Sequence, residues 1–121
     1  MFLKLSHKSI NLIHILIVSV LLILIGIYKE ETNTIIYYLL GLVSLGILFL
    51  VPLPHTYSLS YHNLVYIFHY LFVLPFMALI VYFGVNKKIT NNVFNIILIM
   101  GIFVFGYHSN MFLKNIFTIN Y

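Results

Sequence analysis

Polar residues cluster along this chain and leave four long apolar runs between them. The first run, residues 10–28, is broken only by Asn11, His14 and Ser19 and stops at Lys29-Glu30-Glu31-Thr32-Asn33. The second, 35–51, closes at Pro52-Leu53-Pro54, where proline cannot continue a helix and restricts the residue before it. The third, 64–85, ends at Lys87-Lys88, and the fourth, 93–113, lies between Thr90-Asn91-Asn92 and Lys114-Asn115. About 20 apolar residues in a helix match the hydrocarbon thickness of a bilayer. The pattern therefore predicts an all-α protein, a four-transmembrane-helix bundle that forms one membrane domain over residues 1–121. Pro75 lies inside the third run, where its missing N–H predicts a helix kink. Lys4 and Lys8 could open a signal peptide, but the run after them is longer than a secretory apolar core of about 7–15 residues and no small-residue cleavage site comes after it. The segment is expected to be retained.

An even number of spans puts both termini on one side of the membrane. Lys4, Lys8 and Lys114 then share the terminal side, while Lys29, Lys87 and Lys88 lie on the other, so positive charge assigns no orientation.

Composition narrows the picture. At 63% hydrophobic and 7% charged residues, the chain departs from soluble domains, which carry about 25% charged residues. The lipid bilayer is its expected partner, together with other membrane proteins or further copies of itself. The net charge of +4 comes from lysines at span ends, not from a block that could track a phosphate backbone, so no nucleic acid is expected. Without cysteine there is no disulfide framework, thiolate site or thiol nucleophile, and any metal would have to be held by histidine. Gly-rich phosphate loops, paired carboxylates, a Gly-x-Ser-x-Gly elbow and a Thr-Val-Gly-Tyr-Gly filter are all absent. Catalysis by the chain alone is not expected.

The six histidines form an internal repeat. With residues 7–14 set above 62–69, His7 falls on His62 and His14 on His69, and the same shift of 55 places Gly46 on Gly101. A third histidine closes each half, His55 after Pro52-Leu53-Pro54 and His108 after Gly106-Tyr107, with a spacing that differs by two residues. Each half, 7–55 and 62–108, thus reads as a helical hairpin carrying His-x6-His at its start and one histidine near its end. Two such duplicated hairpins are parallel repeats, related by an axis along the membrane normal. This topology gathers all six histidines at the terminal side. Residues seven apart differ by about 20° in direction and about 10.5 Å in height, so each pair shares a helical face, with His14 and His69 the deeper members.

An ionisable group at that depth is a candidate functional site, because an unpaired polar nitrogen in hydrocarbon costs several kcal/mol. Imidazole is a common ligand of transition metals, so His7, His14, His55, His62, His69 and His108 are candidate metal ligands. A haem b held between His14 and His69 also fits a four-helix bundle. The plainer alternative is that these histidines bond backbone carbonyls, tyrosine hydroxyls or one another and hold the helices together. A pH-sensitive pore or transporter is a third possibility, weakened because no acidic residue lies in any span to complete a relay. Gly41, Ser44 and Gly46 in the second span, and Gly101 and Gly106 in the fourth, are candidate helix-packing positions where backbones could approach closely.

The run from His62 to Gly84, with His69-Tyr70-Leu71-Phe72-Val73-Leu74-Pro75 at its centre, and Gly106-Tyr107-His108 resemble small histidine-bearing multi-pass membrane proteins of large nucleocytoplasmic DNA viruses. The resemblance covers spans three and four best; the first half has Val20 where Pro75 would repeat. It implies residence in the internal membrane of a virion or in host membranes during assembly. The expected role is that of a structural or assembly component of a virion or organellar membrane, with a metal- or haem-binding protein as the alternative.

Overall fold

Runs of leucine, isoleucine and phenylalanine too long for any soluble strand fold here as helices, the one open-ended structure that satisfies each backbone N–H and C=O within its own segment. The computed structural model describes residues 7–51, 53 and 60–118, and not the side chains of 7, 8, 62, 115, 117 and 118. Span one consists of α1 (His7–Ile13), a π-turn over His14–Val18 and α2 (Ser19–Tyr28). Span two is α3 (Thr34–Leu50). Span three repeats the composite form, with α4 (Tyr61–Phe68), a π-turn over His69–Val73 and α5 (Leu74–Val85). Span four is α6 (Asn91–Thr118), which runs past the expected end at 113. No strand occurs among the described residues.

The polar clusters that delimit the runs cap the helices. Asn33 Oδ1 accepts from the Ile35 N–H at 3.1 Å, Ser60 Oγ from the Asn63 N–H at 3.3 Å and Thr90 Oγ1 from the Val93 N–H at 3.4 Å. Val51 ends α3 in extended backbone, φ −95° and ψ 121°, the region open to a residue that precedes proline.

Ser9–Glu31, Asn63–Val85 and Asn91–Lys114 are long and apolar enough to cross a membrane. Thr34–Leu50 is also apolar but has 17 residues, about 25 Å of helix. Large apolar side chains face outward on all four: Leu16, Leu42, Leu71 and Phe103 are 64%, 66%, 64% and 68% exposed. Soluble monomers rarely expose continuous apolar surface of this kind. One shared core forms from Leu22 and Ile25 of span one, Tyr37 and Leu40 of span two, Met77 and Ile80 of span three, and Phe94 and Ile97 of span four.

The hairpins anticipated from the repeat are not packing units. Span one packs chiefly on span four and span three chiefly on span two, while spans one and two touch little. Glycines explain the choice. A Cβ on Gly26 would come within 2.7 Å of Leu98 Cα, and one on Gly101 within 3.0 Å of the Ile23 backbone nitrogen, so spans one and four approach nearly backbone to backbone. On the other side of the bundle the Tyr37 ring fills the space a Cβ on Gly84 would need, and Val81 lies 3.7 Å from the equivalent point on Gly41.

Pro75 lies two residues past the π-turn of span three, and span one makes its own π-turn with Val20 in the matching place. In span one the Ser19 hydroxyl donates to the Ile15 carbonyl at 2.5 Å, within the turn.

Candidate functional site

Both π-turns begin at a histidine whose ring folds back onto its own helix. His14 Nδ1 donates to the Ile10 carbonyl at 2.7 Å, and His69 Nδ1 donates to the Val65 carbonyl at 2.8 Å. A carbonyl can only accept, so each bond fixes the proton on Nδ1 and leaves Nε2 with the lone pair when the ring is neutral. His108, from span four, completes the group. Its Nδ1 lies 2.9 Å from Oδ1 of the buried Asn11, and its ring stacks on that of His14 with centroids 4.1 Å apart and planes 19° from parallel. The His69 ring meets His14 edge-on at 6.3 Å and 83°. Three spans therefore converge through three half-buried imidazoles, with His14 at the centre.

Tyrosine hydroxyls extend the polar layer. Tyr61 and Tyr107 share a hydrogen bond of 2.8 Å between spans three and four, and Tyr70 donates to the Val51 carbonyl at 2.6 Å, tying span three to the end of span two.

Lone pairs lie in the imidazole plane, so two stacked rings cannot aim theirs at one ion. Among the described residues no three metal-ligating side chains form a chelating group. His14 and His69 are not stacked: their centroids lie 6.3 Å apart with the planes near perpendicular. His7 and His62 sit at the starts of α1 and α4 with side chains outside the described residues, and His55 lies wholly outside them.

Of the small residues singled out from sequence, Gly101 and Ser44 are buried, and the Ser44 hydroxyl donates to the Leu40 carbonyl at 2.8 Å. Gly41 makes ordinary contact with Val81, while Gly46 and Gly106 have open space where a Cβ would stand. Sequence reasoning passed over Asn11, Gly26 and Gly84. Asn11 could have been found: a lone amide in an apolar run, three residues before a histidine, requires a partner. No known protein family, curated protein or solved structure matches the chain.

Proposed function

We propose that this chain is a small multi-pass integral membrane protein with a structural or assembly role, in which His14, His69 and His108 act as a polar clasp that fixes how its spans meet. The observation that carries this reading is the stacked His14–His108 pair anchored on Asn11, a packing arrangement rather than a chelate. A duplicated origin for the two halves is part of the same proposal. In its support, the π-turns start at His14 and His69, and their Nδ1 bonds end on Ile10 and Val65, both pairs related by the shift of 55 seen in the sequence. The pairing of span one with four and of three with two is also what an exchange of halves about an axis along the membrane normal would preserve. Residence in a virion's internal membrane or a host membrane is proposed on the resemblance of residues 62–84 and 106–108.

A second reading has its own observation. His14 and His69 lie close together with both protons held on Nδ1, which leaves Nε2 of each as the ligating atom for one transition ion or one haem b. Elemental analysis and a visible spectrum of the detergent-purified protein, beside a His14→Ala/His69→Ala variant, separate the two. The clasp reading expects neither metal nor a Soret band, with Asn11→Ala and His108→Ala each lowering stability by about 1 kcal/mol. Stoichiometric metal or haem that disappears in the double variant would replace it with the cofactor reading.

A further inference from the structure

At the end of the bundle away from the histidines, the two loops that join spans one to two and three to four line an open cleft of about 280 Å³. Lys29, Glu30 and Thr32 line it from the first loop, Lys87 from the second, and Tyr37 and Gly84 from the helices between. The Tyr37 ring, 3% exposed, is pressed against Gly84.

The two lysines share an unusual backbone. Lys29 has φ 52° and ψ −120°, and Lys87 has φ 56°; no other non-glycine residue among those described has positive φ. Each stands just past a helix, α2 or α5, at the kind of place where glycine is the ordinary choice because it has no Cβ to clash. The Lys29 angles fit the first central position of a type II′ turn, a glycine position. A local rule is thus broken twice, in separate loops, and both exceptions fall on residues that line one cleft. Backbone strain of this kind persists where a side chain is needed for something other than the fold.

We propose that Lys29 and Lys87 form a binding site for a phosphate oxyanion, the headgroup of an anionic phospholipid or a free phosphate. Glu30 in the same lining leaves the trio with one net positive charge, which suits a singly charged phosphodiester better than a dianion. The cleft lies at the ends of helices long enough to cross a membrane, the level at which lipid phosphates sit. Nothing in this site depends on the histidine cluster.

The test is thermal unfolding of the full chain in neutral detergent, titrated with short-chain phosphatidylglycerol, with inorganic phosphate and with short-chain phosphatidylcholine. Saturable stabilisation by phosphatidylglycerol, weaker for phosphatidylcholine, is the expected result. A response to inorganic phosphate as well identifies a free-anion site; a response to the lipid alone identifies a headgroup site. In Lys29→Gly/Lys87→Gly the apparent affinity should fall roughly 30-fold, about fivefold for each lysine, from the roughly 1 kcal/mol a basic residue contributes at an anionic surface. The same variant without ligand should unfold at the parent temperature or above, because glycine relieves the strain. Lys29→Gln/Lys87→Gln, which keeps the strained backbone, should lose affinity to the same degree. No saturable response of the parent protein to either phosphate probe, or equal responses in parent and variants, would overturn the proposal.

Discussion

Gly26 and Gly101 lie on opposite sides of one helix crossing, and each has its partner's backbone where a methyl group would go. Substituting alanine forces the two helices apart and loosens the Leu22, Ile25 and Ile97 contacts between them. Gly26→Ala and Gly101→Ala should therefore each destabilise the protein by about 1–3 kcal/mol, the usual cost of overpacking. Gly46→Ala and Gly106→Ala, which meet open space, should be neutral or stabilising by up to about 1 kcal/mol through helix propensity. Reversible unfolding in mixed detergent measures all four. Hydropathy cannot make this distinction, because a glycine in an apolar run reads the same whether a helix backbone or nothing lies beside it.

At the scale of elements, the π-turns decide where the histidines point. A π-turn adds one residue to a helix, which rotates the two flanking segments against each other by about 100° and shifts them by about 1.5 Å relative to a continuous α-helix. In span one the turn starts at His14 and separates Asn11 from the half that packs against span four through Gly26. Deleting Ile17 should let span one run as unbroken α-helix and swing Asn11 and His14 away from His108. The expected outcome is a loss of stability larger than that of Asn11→Ala alone, read in the same unfolding assay; a deletion variant as stable as the parent would mean that the turn has no part in the cluster. The apolar run from Ile10 to Tyr28 held no sign of the turn, since one more isoleucine changes neither its length class nor its hydropathy.

For the molecule as a whole, three helices meet the length needed to cross a membrane and α3 is the shorter one. It packs with the others: Tyr37 and Leu40 are buried in the common core beside Met77 and Ile80 of span three. With α3 as a fourth crossing both termini would share one side, and reporter tags fused at either end would show the same accessibility in sealed vesicles. Opposite accessibility would leave α3 lying short of the far face.

Local chemistry is the part of this protein that the sequence determined by itself. Apolar runs of span length, closed by Lys29-Glu30-Glu31, Pro52 and Lys87-Lys88, specify helices and their ends, because every backbone polar group in such a run must be satisfied within the run. The shift of 55 brought His14 and His69 to notice, and three of the chain's six histidines, His14, His69 and His108, do meet. Only the tertiary structure decided which spans pair, because that choice depends on which glycines face a neighbouring helix across a crossing, and helical direction is lost to the eye once a π-turn intervenes. It alone joined Asn11 to His108 over 97 residues and brought Lys29 and Lys87 to one cleft. Those contacts depend on the relative placement of helices, which no single stretch of sequence contains.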